Sequence, residues 1–278
     1  MTLPPPPASQ DGLAPGRGGG TGEPSSALAP PLDPQRVVRE QVWAALRAVA
    51  RPDSRFHWDF SSFIADFEGS EACAERVRAL ASWDRADLVF ITPDNSTEAV
   101  RHRAIEEGRR LLMTTYGIRR GFLYLEPGRV RPGEERYAAT LDGMDALARP
   151  VTLAEISRLG TIGLLVTGGS AVNLEGLRIG KGHGYFDLEW ALLSEAGAVE
   201  ATSEIVDVVH DCQVVDLPID RAAHDVRVDW IVTPTQTIRV DAGGHPLGKV
   251  LWELVAGTEF EQLPPVVELA RQREGGAP

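Results

Sequence analysis

Thr161-Ile162-Gly163-Leu164-Leu165-Val166-Thr167, running into Gly168-Gly169-Ser170 and followed by Gly180-Lys181-Gly182-His183-Gly184-Tyr185-Phe186-Asp187, is the stretch that decides the fold. The first segment is a short apolar run closed by glycines, which reads as a buried strand. Leu188 to Ala196 is apolar almost all round, which suits a helix buried against a sheet. Strand, glycine-rich loop and helix in this order place unpaired N–H groups and a partial positive charge at the loop, a natural seat for phosphate. Glycines 180, 182 and 184 let the backbone approach an anion. Arg178 and Lys181 add full charge, and His183 adds more when protonated. Asp187 is placed to cap the helix or to hold a divalent metal beside the phosphates. The same residues also suit a plain tight turn before a capped helix. The loop is neither a Walker A sequence nor a good G-x-G-x-x-G fingerprint.

Outward from this unit, apolar runs alternate with helical patterns. Asp33 and Pro34 start a helix carrying Val38, Val42, Leu46 and Val49 at helical spacing. The pattern predicts helices over 72–81 and 97–108 and strands over 87–92 and 111–113, then a loop-rich stretch over 126–150. Strands are expected over 205–209, 229–233 and 236–240, and a final helix over 247–255. Strands separated by helices imply an α/β fold with a mostly parallel sheet covered on both faces. Residues 1–34 hold nine of the 20 prolines and six of the 28 glycines, a composition that predicts a disordered tail. Residues 35–273 are expected to form a single domain, with a frayed end at 275–278.

The chain has 278 residues and a formal net charge of −12. That charge argues against non-specific binding to nucleic acid or an anionic membrane, though a local cation cluster can still bind a small anion. No RNP-like aromatic–basic run is present. The N-terminus lacks a secretory pattern and no apolar run reaches membrane-spanning length, so the cytoplasm is the expected compartment. Cys73 and Cys212 read as reduced thiols. His210-Asp211-Cys212 is a poor zinc set, since three adjacent residues rarely converge on one ion. Arg101-His102-Arg103 reads as a solvated basic helix face, and His224-Asp225 as a turn. No Gly-x-Ser-x-Gly elbow supports a serine hydrolase.

Gly176-Leu177-Arg178-Ile179-Gly180-Lys181-Gly182-His183-Gly184-Tyr185-Phe186-Asp187 resembles the G-x-R-x-G-[RK]-G-x-G-[YF]-[YF]-D signature of the 5-formyltetrahydrofolate cyclo-ligase family. The run from Gln213 to Pro218, His224-Asp225-Val226 and Asp229 to Pro234 is similar to that family's ending, and the order agrees over roughly 160–240. Features such as Phe186-Asp187-Leu188-Glu189-Trp190 resemble a divergent branch, the methenyltetrahydrofolate synthetase domain-containing proteins. The resemblance implies an open Rossmann-like sheet. It also implies an ATP- and Mg²⁺-dependent ligase of folate one-carbon metabolism, converting 5-formyltetrahydrofolate to 5,10-methenyltetrahydrofolate: the formyl oxygen takes the γ-phosphoryl group, the neighbouring amine attacks the activated carbon, and phosphate leaves. Carried over by position, Arg178 and Lys181 contact phosphates and Gly180, Gly182, His183 and Gly184 shape the cradle. Tyr185 lines the site, and Asp187 helps hold Mg²⁺. Arg39 matches a nucleotide-facing arginine, while Gln35 stands where the family has a lysine. Asp94 is nearest by spacing to a substrate-facing glutamate. The alternative reading is a non-catalytic nucleotide- or folate-binding paralogue with a regulatory or accessory role.

Overall fold

The computed structural model describes residues 34–275 apart from Pro218, Asp220, Ala223, His224 and Ala242. The tail expected at the N-terminus, up to residue 33, and the turn at His224 lie outside the described residues. The chain begins with α1 (Pro34–Leu46), α2 (Ser70–Arg78) and α3 (Ala81–Arg85). Next come β1 (Leu88–Ile91), α4 (Glu98–Glu106), β2 (Arg110–Thr114), β3 (Phe122–Leu125), α5 (Glu135–Ala138), α6 (Leu141–Leu147) and β4 (Arg149–Val151). The second half holds α7 (Leu153–Leu159), β5 (Ile162–Gly168), β6 (Ala171–Asn173), β7 (Arg178–Ile179), α8 (Tyr185–Glu195) and β8 (Glu204–Val208). It closes with β9 (Val214–Val215), β10 (Trp230–Val232), β11 (Thr237–Arg239), α9 (Trp252–Val255) and α10 (Pro264–Gly275).

Eight strands make one sheet in the order β11-β10-β8-β5-β1-β2-β3-β4. The five inner strands are parallel. Their runs are apolar on both faces because both faces are covered. Alternate residues of one strand feed two cores. Leu88 and Phe90 of β1 pack with α7, α8 and α10, whereas Val89 and Ile91 pack with α2, α3 and α4. The antiparallel strands β3, β4 and β11 occupy the margins. The mostly parallel α/β sheet with helices on both faces thus stands as the sequence predicts.

The order contains a topological switch. From β1 the chain passes through α4 to β2 on one side, and it later returns through α7 to β5 on the other. Helices α4 and α7 belong to opposite cores. The loops leaving β1 and β5 therefore diverge and open a crevice at their carboxyl ends, where open α/β sheets bind ligands. A small sheet, β7-β6-β9, flanks this crevice. It packs on α1 through Val42, Ala171, Leu177 and Ile179.

Three expectations fail for physical reasons. The stretch 126–150 holds α5, α6 and β4 besides loop, because Ala138, Met144 and Leu141 bury against the sheet despite the prolines and glycines around them. The helix over 247–255 shrinks to α9. The backbone before it instead lies along α8, where the Trp190 Nε1 donates to the Pro246 carbonyl at 3.2 Å and the Val250 N–H donates to Glu195 at 2.8 Å. The helix over 72–81 stops at Arg78, and α3 restarts at Ala81. Two further helices go unread in the sequence, α7 and α10. The first carries a capping box between Thr152 and Glu155.

Candidate functional site

A cavity of about 320 Å³ fills the crevice at the switch point. Thr92 and Asp94 line it from the end of β1, Thr167 and Gly168 from the end of β5. Glycine is required at 168, since a Cβ there would stand 2.3 Å from the Ser96 hydroxyl and 2.9 Å from Ile64. This closeness lets the Gly168 N–H donate to Asp94 Oδ2 at 3.3 Å, and the Thr92 hydroxyl donates to the same oxygen at 2.7 Å. Asp94 is thus fixed between the two diverging loops.

The glycine-rich loop 180–184 forms the opposite wall and runs straight into α8. Gly184 occupies the N-cap in a left-handed conformation (φ 72°) and brings no side-chain cap. The first-turn N–H groups of α8 are thereby left for ligand or solvent. Asp187 is not the cap, contrary to one of its expected roles. It sits in the first turn, at the third helical position, where its Oδ1 accepts from the Val226 N–H at 3.0 Å. Its Oδ2 is 3.9 Å from Arg178.

Cations gather around this loop in a chain that is acidic overall. Arg39 of α1 is buried, and its guanidinium stands 3.6 Å from where a Cβ of Gly182 would lie. The Lys181 ammonium lies over the rings of Tyr116 and Tyr185, at 5.0 and 5.8 Å from their centroids. Arg178 donates to the Gly168 carbonyl at 3.2 Å and packs over Phe186 at 4.8 Å. The His183 ring sits 5.6 Å from Tyr185. The Tyr185 hydroxyl donates to Glu259 at 3.0 Å, and burial with that carboxylate pushes the phenol up to about 12. Arg39, Asp94, Arg178, Gly180, Lys181, Gly182, His183, Gly184, Tyr185 and Asp187 all line the one cavity, as does Gln35.

Three charged residues near the cleft escape a sequence reading. Glu189 lines the cavity one helical turn after Tyr185, is 3% exposed and accepts from the Thr114 hydroxyl. Burial pushes its carboxyl up to about 8, so it is mostly protonated at neutral pH. A carboxylate set inside the apolar run Leu188 to Leu193 was the available signal. Asp207 of β8 is fully buried under Gly169, and neither carboxylate oxygen has a hydrogen-bond partner among the described residues. Burial raises it to about 7.

Arg101 corrects an expectation. It is not on a solvated basic face but wholly buried. Its guanidinium donates to the carbonyls of Thr92 (2.6 Å), Asp94 (2.9 Å) and Ala139 (2.8 Å) and to the Thr97 hydroxyl (2.7 Å). It therefore clamps the loop that carries Asp94 from behind. Its neighbour His102 pairs with Glu106.

The His210-Asp211-Cys212 run is a local structural knot. His210 Nδ1 accepts from the Cys212 N–H, and Asp211 accepts from the hydroxyls of Thr233 and Thr235. Both cysteines are free. Among the described residues no group of three His, Cys, Asp or Glu side chains could hold a metal by itself, and no helix is long and apolar enough to cross a membrane.

Comparison with known proteins follows the same region. The model of the 5-formyltetrahydrofolate cyclo-ligase family matches residues 33–234. The methenyltetrahydrofolate synthase domain-containing protein of Homo sapiens is 34% identical over 247 residues, which cover 86% of this chain and 62% of that protein. Its Danio rerio counterpart is 31% identical over 82% of this chain and 59% of its own length. The chain thus spans about 60% of the length of these curated relatives. The solution structure of Aquifex aeolicus 5,10-methenyltetrahydrofolate synthetase covers 74% of this chain, and 93% of that chain is covered, at a TM-score of 0.46 and 18% identity.

Proposed function

The chain belongs to the 5-formyltetrahydrofolate cyclo-ligase family, and from that premise we propose that it is an ATP- and Mg²⁺-dependent cyclo-ligase, or a close relative, that turns 5-formyltetrahydrofolate into 5,10-methenyltetrahydrofolate. One observation carries the reading. Three cations and an uncapped helix N-terminus converge on a cavity at the switch point of the sheet, facing a fixed carboxylate.

Phosphoryl transfer asks a protein mainly for positioning and charge neutralisation. In this reading Lys181, Arg39 and the N–H groups of the α8 N-terminus receive the phosphates. Arg178, held by the Gly168 carbonyl and the Phe186 face, neutralises charge that builds on the transferred group. Asp187, which lines the cavity with its Oδ1 held by the Val226 N–H and its Oδ2 3.9 Å from Arg178, is the carboxylate that would hold Mg²⁺, which would supply Lewis-acid charge to the phosphates. Asp94, locked by Thr92 and Gly168 with Arg101 behind it, orients the folate. Tyr116 and Tyr185 flank Lys181 and reduce its access to water. Glu189, kept neutral by burial, spares the phosphates a negative neighbour near pH 7.

A second reading rests on Gln35. It lines the cleft four residues before Arg39, at the position where the family resemblance calls for a lysine, and an amide brings no charge. A paralogue that binds nucleotide or folate without turnover, in a regulatory or accessory role, fits that substitution.

Incubation with ATP, Mg²⁺ and 5-formyltetrahydrofolate, followed by near-ultraviolet absorbance of the methenyl product, separates the two. Steady product formation that is lost in Lys181→Ala supports the ligase. Folded protein that binds ATP and yields no product supports the binding paralogue and overturns the catalytic reading.

A further inference from the structure

Lys181 is seated between two phenols that come from different parts of the chain. Tyr116 follows β2, and Tyr185 opens α8. The ammonium lies 5.0 Å from the first ring centroid and 5.8 Å from the second. Each phenol is anchored through its hydroxyl. Tyr116 donates to the Ser62 carbonyl, and its ring meets Phe56 at 5.0 Å. Tyr185 donates to Glu259 Oε1 at 3.0 Å, and its ring meets Phe260 edge to face at 5.2 Å. Glu259 and Phe260 lie beyond residue 234, where the match to the family model ends.

The turn that carries Glu259 is itself fixed. The Thr258 hydroxyl donates to the Val255 carbonyl at 2.7 Å and accepts from the Phe260 N–H at 3.2 Å. The Gly257 N–H donates to Glu261 at 3.0 Å. Beside Tyr116, Gly117 leaves room for the second phenol: a Cβ there would stand 3.4 Å from the Tyr185 hydroxyl. Tyr185 therefore reaches across to the Tyr116 side of the cleft, and a rigid turn of the C-terminal segment holds its hydroxyl there.

We propose that Glu259 is a positioning residue: by accepting the Tyr185 hydroxyl it holds that ring against Lys181 and keeps the ammonium seated in the cavity wall. Its part in anion binding rests on the reading of Lys181 as a phosphate contact. The arrangement solves a conflict of charge. A carboxylate paired directly with Lys181 would orient the ammonium but compete with an anionic ligand for it. Aromatic faces orient a cation without neutralising it. Glu259 acts one side chain removed, through a neutral phenol, so the lysine is fixed while its charge stays available. The seat thus depends on a segment outside the family match, and Tyr185 alone does not complete it.

Lys181 and Lys249 are the two lysines of the chain, so competitive labelling tests the assignment without reference to activity. Limiting acetic anhydride followed by mass spectrometry reads Lys181 against Lys249, an exposed internal standard. Glu259 is exposed too, so replacing it empties no core. Glu259→Ala and Glu259→Gln both lose the charge, but only Gln keeps an acceptor, and their difference isolates the hydrogen bond. The Lys181-to-Lys249 ratio should rise about threefold in Glu259→Ala and stay near wild type in Glu259→Gln. Tyr185→Phe should match Glu259→Ala, and the double variant should add nothing further. Inorganic tripolyphosphate, titrated calorimetrically, should bind Glu259→Ala about threefold more weakly than Glu259→Gln, and Lys181→Ala more weakly still. An unchanged ratio in Glu259→Ala, or effects that simply add in the double variant, overturns the positioning role. A raised ratio with equal tripolyphosphate affinity in the two Glu259 variants, while Lys181→Ala is weakened, overturns its part in anion binding. A raised ratio with tripolyphosphate binding Lys181→Ala as well as wild type leaves the positioning role standing and overturns the phosphate reading of Lys181.

Discussion

Replacing Asp207 with Asn should make the protein more stable at pH 8 and change it little at pH 4. The carboxylate is fully buried, and neither oxygen is hydrogen-bonded among the described residues. Burial pushes it from 3.8 up to about 7, with Arg178 pulling the other way and Asp94 adding to the rise. Between those two values the native state keeps a proton that the unfolded chain has released. Stability therefore falls as pH rises through that window, and above about 7 the loss is complete. Roughly three pKa units at ~1.36 kcal/mol each set an upper bound of about 4 kcal/mol. Asn cannot ionise, so it removes this slope while keeping the shape. Urea unfolding of wild type and Asp207→Asn at intervals from pH 4 to 8 isolates the effect as their difference, because other titrating groups cancel. The difference should start near zero and climb toward a few kcal/mol in favour of the variant. A difference that stays flat across the range, or a variant less stable at pH 8, would refute the picture of an uncompensated buried carboxylate beside Arg178.

Arg101→Met should destabilise the fold and loosen the site together. It removes four hydrogen bonds from a guanidinium, offset in part by relief of a charge whose burial lowers it to about 10. A net loss of about 3 kcal/mol should lower the melting temperature by roughly 6–12 °C, and ligand affinity should fall because Asp94 loses its support. Scanning calorimetry and nucleotide titration check the two halves. Glu189→Gln should leave ATP affinity near neutral pH unchanged. Above pH 8 wild type should lose affinity, as Glu189 ionises beside the phosphates, and the variant should not; titrations at pH 7 and 9 compare them.

The sheet was legible because its inner strands are apolar on both faces, and short continuous runs such as Leu88–Ile91 and Ile162–Val166 announce themselves. Marginal elements were not. β6 and β7 are three and two residues long and exist through pairing with distant partners, which local pattern does not encode. The helix α7 was readable in principle, since Thr152-Leu153-Ala154-Glu155 spells a capping box. The run at 246–250 copies a helical pattern, but Val250 buries in the core with α8 while Leu247 stays exposed. The glycine-loop half of the site was also readable, because phosphate chemistry uses consecutive residues on one loop. The buried half was not. Arg101 looks like its neighbour Arg103 in sequence, and only tertiary packing turns one inward to clamp three carbonyls while the other pairs with Glu75 and Glu106 at the surface. Asp207 hides in a strand that otherwise reads as plain core.

Where a nucleotide's phosphates sit decides whether the glycine-rich loop is the phosphate seat. A crystal structure of the protein with a non-hydrolysable ATP analogue and Mg²⁺ measures that directly. The phosphate chain should lie against Gly180–Gly184, within hydrogen-bonding distance of the Lys181 ammonium and the first N–H groups of α8, with Arg39 and Arg178 alongside. An analogue bound away from that loop, with Lys181 still resting on Tyr116 and Tyr185, would contradict it.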